Sequence, residues 1–231
     1  MFLYWFDWSV FQANYPDLMR LLSLEEQQKA ARFKFVADQS RYTICRGILR
    51  LLLADYLQQD PQTIQFCYHA QGKPLLDPQY HASPVYFNVS HSQALGLIGI
   101  SEQHLIGVDV EYQRSLDWQA LARRFFSPAE QTLLDHSPLA QQEPLFFQLW
   151  TAKEAYLKAI GTGLSGGLDQ VQIALNPLRF QSLPGDPSLT QQWQLQALTL
   201  QPDYAAAVAI AQPQPLSSPL IELTPQTFPI A

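Results

Sequence analysis

A chain of 231 residues, 47% hydrophobic and 15% charged with a net charge of −6, is long enough for one large domain or two small ones with a real core. The acidic balance argues against general nucleic-acid binding, which needs a basic footprint, and no stretch approaches the roughly 18 apolar residues of a membrane helix. Cys45 and Cys67 lie in apolar segments, with no secretory signal ahead of them, and read as reduced thiols of a cytoplasmic protein; with five scattered histidines they form no zinc-like cluster.

Residues 1 to 11, "MFLYWFDWSVF", read as a first strand. "SLEEQQKAARF" follows, with Ser23 as N-cap and Glu26 three residues on, a capping-box pattern. "ADQSRYTICRGILRLLLADYL" keeps Ile44, Ile48, Leu51 and Leu52 on one face and predicts a long amphipathic helix. "TIQFCYH" predicts a strand, and "VYFNVSHSQALGLIGIS" a strand, a turn and a strand. "LIGVDVE" is a further strand. Then "ALARRFFSPAEQTLL" and "PLFFQLWTAKEAYLKAIG" are helical, "LDQVQIAL" is a strand, and "WQLQALTLQPDYAAAVAIA" is again strand, turn, strand. The order repeats: "ARFKF" answers "RRFF", and "ALGLIGIS" answers "AAAVAIA". The expectation is α+β: two similar halves related by a pseudo-twofold, each a small, mostly antiparallel sheet with a long helix. Their bounds are 1–105 and 106–211, followed by an extended proline-rich tail, 212–231. A cleft between such halves is the natural ligand site.

"IGVDVE" poses a chemical question. In a strand, residues two apart share a face, so Asp109 and Glu111 point one way and Val108 and Val110 the other. Adjacent carboxylates repel, and burying them is costly. Either the strand end emerges into solvent, or the pair shares a divalent cation such as Mg²⁺, which takes a few carboxylates plus phosphate oxygens and water. On the helix of "LWTAKEAYLKAIG", Phe147, Thr151, Glu154 and Lys158 share a face. Glu154 and Lys158 are either a surface ion pair, or Glu154 is the third carboxylate. Half of the 14 basic residues, from Lys29 to Lys73, crowd into one region. That suits a small anion, or simply a solvated face.

Taken together, these stretches closely resemble the 4′-phosphopantetheinyl transferases of the Sfp type. That family carries a G-[IV]-D-[IV]-E strand and, some forty residues on, a W-[ST]-x-K-E-[AS]-x-x-K helix. Here these read Gly107 to Glu111, and Trp150 to Ala155 with Lys158. "GKP" at Gly72 to Pro74 and "FNVSHS" at Phe87 to Ser92 also match, and the likeness spans about residues 20 to 211. The resemblance implies transfer of the phosphopantetheine arm of coenzyme A to a serine of an apo acyl or peptidyl carrier protein, with release of adenosine 3′,5′-bisphosphate. It implies that Asp109, Glu111 and Glu154 hold Mg²⁺, with Glu154 also a candidate base for the serine proton. Lys158 then meets the phosphates, and Lys29, Arg41, Lys73, Pro74, Ser90, His91, Asp109 and Lys153 contact the coenzyme. Lys153 has the alternative of a solvated helix residue, and Arg46 and Arg50 the expectation of facing solvent. Where some relatives carry a further lysine, this chain has Glu26, which removes one phosphate contact by charge reversal.

"GTGLSGG" lacks the G-K-[ST] of a nucleotide loop and reads as a helix exit. His69, His81, His104 and His136 have no chemical context. The family likeness of a fused two-half chain implies action as a monomer, with "YQRSLDWQALARRFF" as the carrier contact and fatty-acid, polyketide and peptide-synthetase carriers all open. Two other readings stand beside transfer. One is a non-catalytic carrier-binding paralogue, against which the intact Asp109, Glu111, Glu154 and Lys158 speak. The other is a Mg²⁺-dependent phosphotransferase acting on a small molecule.

Overall fold

A computed structural model describes residues 1–81, 84–163 and 167–230. The chain is α+β and runs the same path twice. In the first half, β1 (Phe2–Asp7) leads through α1 (Tyr15–Leu21) and α2 (Leu24–Ala31) to a 22-residue helix α3 (Val36–Leu57). A hairpin, β2 (Phe66–Tyr68) and β3 (Pro74–Leu76), and a second hairpin, β4 (Tyr86–Ser92) and β5 (Leu95–Ser101), complete it. The second half opens on β6 (Ile106–Tyr112) and passes through α4 (Trp118–Phe125) and α5 (Pro128–His136) to a 22-residue helix α6 (Leu139–Ile160). It also ends on two hairpins, β7 (Gln172–Leu175) with β8 (Leu178–Ser182), and β9 (Gln194–Leu198) with β10 (Tyr204–Ile210).

The sheets confirm the repeat. One sheet contains β1-β5-β4 and the other β6-β10-β9, the same order with antiparallel pairing throughout these strands. The short helices before the long ones match as well. Ser23 and Glu26 cap α2 reciprocally, and Ser127 and Glu130 do the same for α5. Each such cap stabilises its helix by about 1 kcal/mol. This shifts the alignment expected from sequence: "ARFKF" follows α2, whereas "RRFF" closes α4, so the true counterparts are the two Ser-x-x-Glu caps.

Both caps have a second function. Glu26 pairs with Arg50 of α3 at 2.7 Å, and Glu130 pairs with Lys153 of α6 at 2.8 Å. Arg50 and Lys153 stand at the same distance from the start of their helices. Arg50 Nη1 donates to the carbonyls of Pro61 and Ile64, and Lys153 Nζ donates to those of Leu168 and Val171. Arg50 is 1% exposed and Lys153 fully buried. Charges this deep persist only because carboxylate and carbonyls together satisfy them. Each pair therefore pins a short helix, a long helix and the chain after the long helix into one unit.

Three apolar clusters fill the molecule. One surrounds α3, one surrounds α6, and the third lies between the sheets, where Leu3, Leu95 and Leu97 meet Val108, Val110, Val208 and Ile210. Two expectations change at the chain ends. The first strand stops at Asp7, whose side chain accepts from Ser9 N and turns the chain into a 3₁₀ segment, Trp8–Asn14. The proline-rich tail is extended, but it also pairs: β11 (Leu220–Glu222) adds parallel to β1, and Leu223 is buried beyond it. Leu164, Ser165 and Gly166 of "GTGLSGG" lie outside the described residues. The preceding Gly161 ends α6 in the left-handed conformation, φ 76°, as a helix exit requires.

Candidate active site

Among the described residues, the two sheets share no ladder. They meet where the edge strand β4 lies beside the edge strand β6, and side chains make the join. Val108 N donates to Asn88 Oδ1 (2.9 Å), Val110 N to Ser90 Oγ (3.2 Å) and Tyr112 N to Ser92 Oγ (3.1 Å). "FNVSHS" thus has two faces, because strand side chains alternate. Asn88, Ser90 and Ser92 turn to β6, while Phe87, Val89 and His91 turn toward α3. Ser90, His91 and Ser92 belong to strand β4; the turn itself is Gln93 and Ala94, with Gln93 at φ 49°.

The same serines reach the carboxylates. Ser90 Oγ donates to Asp109 Oδ1 (3.0 Å) and Ser92 Oγ to Glu111 Oε2 (2.9 Å). The valines of β6 enter the inter-sheet core, so its carboxylates look toward α6, as the alternation predicted. Helix α6 can approach because of Gly107: a Cβ there would overlap the Ala155 carbonyl oxygen and the Ala159 amide nitrogen. That close contact brings Glu154 and Lys158 over the strand. Lys158 Nζ lies 2.6 Å from Asp109 Oδ1 and 2.9 Å from Ser90 Oγ.

Three carboxylates therefore face one space. Burial, then the Asp109 charge, raises the Glu154 pKa to about 7, and Glu111 adds to the rise while Lys158 opposes it. Glu111 is also raised, first by burial and then by Asp109. Asp109 Oδ2 and Glu154 Oε1 are buried and accept no hydrogen bond. Among the described residues, no three His, Cys, Asp or Glu side chains are already drawn into a closed metal cage. Hard oxygen donors, two of them orphaned and buried, with the pKa values of Glu111 and Glu154 raised, nevertheless fit a small divalent cation.

On the other face of β4 a cavity of about 290 Å³ opens, lined by Lys29, Phe33, Tyr42, Cys45, Arg46, Leu49, Pro74, Val89 and His91. It combines aromatic faces with cations, which suits an aromatic base bearing anionic groups. His91 stands in its wall at the mouth, open to solvent yet hemmed in by protein. Partial desolvation lowers its pKa first, then the charges of Arg41 and Lys158. Both charges reach His91, so cavity and carboxylate cluster adjoin across one strand. Cys45 is an inert part of the wall, its thiol pushed up to about 12 by burial.

The remaining expected residues take varied places. Lys29 lies 5.5 Å from the Tyr42 ring centroid and 5.6 Å from that of Tyr68. Arg41 holds Asp38 at 2.7 Å. Lys73 reaches from the first half to the end of α6, donating to the Ala159 carbonyl at 2.7 Å, and burial lowers its pKa to about 8. Lys153 is neither solvated nor in the cavity wall; its ammonium is consumed by Glu130 and two carbonyls. Arg46 and Arg50 do not face solvent as expected. Arg46 lines the cavity at 9% exposure, and Arg50 is the buried partner of Glu26. Small polar residues at every second position of β4 are the signal for the Asn88–Ser90–Ser92 seam; no local signal marked Arg46.

Comparison with known proteins closes the case for the family. A model of the 4′-phosphopantetheinyl transferase superfamily matches residues 105–209, and an N-terminal model of 4′-phosphopantetheinyl transferases matches residues 6–102. The 4′-phosphopantetheinyl transferase HetI of Nostoc sp. is 40% identical over 87% of this chain and 83% of its own length. A putative 4′-phosphopantetheinyl transferase of Synechocystis sp. is 43% identical over 83% of this chain and 77% of its own. The Sfp transferase of Bacillus subtilis is 28% identical over 87% of this chain and 88% of its own. Family models on both halves, and relatives this similar along most of the chain, agree with the carboxylate strand and the lysine-bearing helix: this chain belongs to the 4′-phosphopantetheinyl transferases of the Sfp type.

Proposed function

We propose that this transferase moves the phosphopantetheine arm of coenzyme A to a serine of an apo acyl or peptidyl carrier protein, using the space between β6 and α6 as its reaction centre. The supporting observation is the meeting of three carboxylates and Lys158 beside a basic, aromatic cavity. The cavity accepts the adenosine end of the coenzyme, with Lys29, Pro74 and His91 in its wall. Arg41 and Lys73 supply positive charge nearby. The pyrophosphate then extends past His91 toward Lys158.

Asp109, Glu111 and Glu154 are the residues that would hold Mg²⁺, which supplies neutralisation of charge growing on phosphate oxygens. Ser90 and Ser92 fix the orientation of the two strand carboxylates. Glu154, with its pKa near neutrality, is suited to take the proton of the attacking serine. Attack at the β-phosphorus forms the new P–O bond, breaks the bond to the bridging oxygen and releases adenosine 3′,5′-bisphosphate. Lys158 places a positive charge beside the phosphates.

The carrier docks along residues 112–126, where Arg114, Arg123 and Arg124 are exposed and offer a basic face. The protein works as a monomer in the cytoplasm; among the described residues, no helix is long and apolar enough to cross a membrane. A panel of purified apo carriers incubated with coenzyme A and Mg²⁺ tests the reading. The expected result is the mass of one phosphopantetheine gained on a serine, with adenosine 3′,5′-bisphosphate released only when a carrier is present. Binding of carriers without mass gain would replace the reading with a non-catalytic one. Nucleotide release without any carrier would point to a small-molecule acceptor.

A further inference from the structure

Arg46 lines the cavity, and one donor of its guanidinium, Nη1, has no hydrogen-bond partner. Its side chain is 9% exposed, and its guanidinium lies 4.7 Å from the Phe66 ring centroid and 5.9 Å from that of Tyr42. Nη1 is buried and makes no hydrogen bond, although Arg46 lines the cavity beside Lys29 and His91. Its nearest carboxylate is Glu26, 3.5 Å from Nε. Glu26 is already committed elsewhere: its Oε2 accepts from Arg50 Nε at 2.7 Å and from Ser23 N at 2.9 Å. One carboxylate thus serves two guanidiniums, and the less closely paired of the two is the one that lines the cavity. Among the described residues, no aspartate or glutamate lines that cavity. A desolvated arginine with a free donor is a costly arrangement unless an anion completes it.

Resting on the reading that coenzyme A occupies this cavity, we propose that Arg46 determines specificity for the coenzyme's 3′-phosphate, its guanidinium donating to a phosphate oxygen. A neutral base would leave the excess charge uncompensated, and the rings of Phe33 and Tyr42 already offer it apolar contact. The pyrophosphate belongs past His91, where Lys158 and the carboxylates stand. The 3′-phosphate is the remaining anionic group, and arginine's planar fork suits it. Arg46 thereby supplies the positive charge whose loss Glu26 implied in the sequence.

Calorimetric titration of the full chain, without added metal, with coenzyme A and with 3′-dephospho-coenzyme A tests the proposal. Arg46→Gln is expected to weaken coenzyme A binding roughly ten- to a hundredfold while changing the dephospho ligand by no more than about twofold, the signature of one lost charge-assisted hydrogen bond. Equal loss for both ligands, or loss for neither, overturns the proposal and leaves the functional reading standing. A wild-type protein that binds neither ligand overturns both. If Arg46→Gln does not fold, Arg46→Lys carries the test: it keeps the charge and loses the fork, so the ratio of the two affinities still falls, by less, and an unchanged ratio rejects the role.

Discussion

Lys158 Nζ stands 2.6 Å from Asp109 Oδ1, so an ammonium from α6 neutralises one carboxylate of β6. The pair is lopsided: the Asp109 side chain is 2% exposed and that of Lys158 29%. Lysine can swing away on its flexible stem, whereas aspartate is fixed by strand and serine. The ammonium therefore competes with any cation drawn to the same oxygen. Lys158→Met is expected to tighten Mg²⁺ binding to the coenzyme-free protein, seen calorimetrically, while slowing transfer. Asp109→Ala should abolish both Mg²⁺ binding and transfer yet leave the circular dichroism spectrum unchanged. Unaltered Mg²⁺ affinity in both variants would remove the metal from this site.

Glu154 predicts a pH dependence with a definite sign. Its pKa rises from 4.5 to about 7 on folding, chiefly through burial. Between those values the folded chain holds more protons than the unfolded one, so stability falls as pH rises through that window. Glu154→Gln removes the penalty. In EDTA it should stabilise the protein by on the order of 2–3 kcal/mol at pH 8 and by little at pH 4. Denaturant midpoints of both proteins at the two pH values decide this; parallel curves would contradict it. With Mg²⁺ saturating, the same variant should still transfer at least about a hundredfold more slowly, because no base remains.

Lys73 should make coenzyme binding pH-sensitive in the opposite range. Burial lowers its pKa to about 8, so above that pH its charge is lost in the free protein. A phosphate nearby favours the charged form and must restore the proton. Affinity for coenzyme A is expected to decline as pH rises from 7 to 9, and Lys73→Met should bind more weakly at pH 7 with the decline flattened. An identical decline in the variant would place the titrating group elsewhere.

Gly107→Ala tests the approach of strand and helix. The added methyl would collide with the backbone of α6 at Ala155 and Ala159, where no side chain can yield. Overpacking of this kind costs about 1–3 kcal/mol, occasionally more. A lower thermal midpoint is expected, together with loss of transfer out of proportion to the folded fraction, because Glu154 is carried away from Asp109. Full activity at a wild-type midpoint would mean that α6 sits differently.

Much of this was legible in the chain. Alternation placed Asp109 and Glu111 together and opposite the valines, and helical spacing put Glu154 and Lys158 on one face. These patterns are local, and local geometry enforces them. Long-range partners were hidden. Lys153 read as solvated because nothing beside it in sequence reveals Glu130, and the Arg46 and Arg50 pair read as surface because Glu26 lies twenty residues or more away. The tail's strand escaped for the same reason: its partner β1 is at the other end of the chain. The cap motif was seen at Ser23, but its counterpart at Ser127 was read as part of one continuous helix.

The twin buried pairs have a consequence for how Glu154 keeps its aim. It follows Lys153 directly in the chain, and Lys153 is pinned to Glu130, Leu168 and Val171. At the matching point in the other half, Arg50 is followed by Leu51, an ordinary apolar neighbour. The same bracket thus holds the proposed base in one half and a passive residue in the other. Accuracy at the proposed reaction centre is underwritten by a contact that folding already demands, not by one made for chemistry. A population of variants screened only for solubility, with no coenzyme and no carrier in sight, would still filter for the residue that points Glu154 at Asp109.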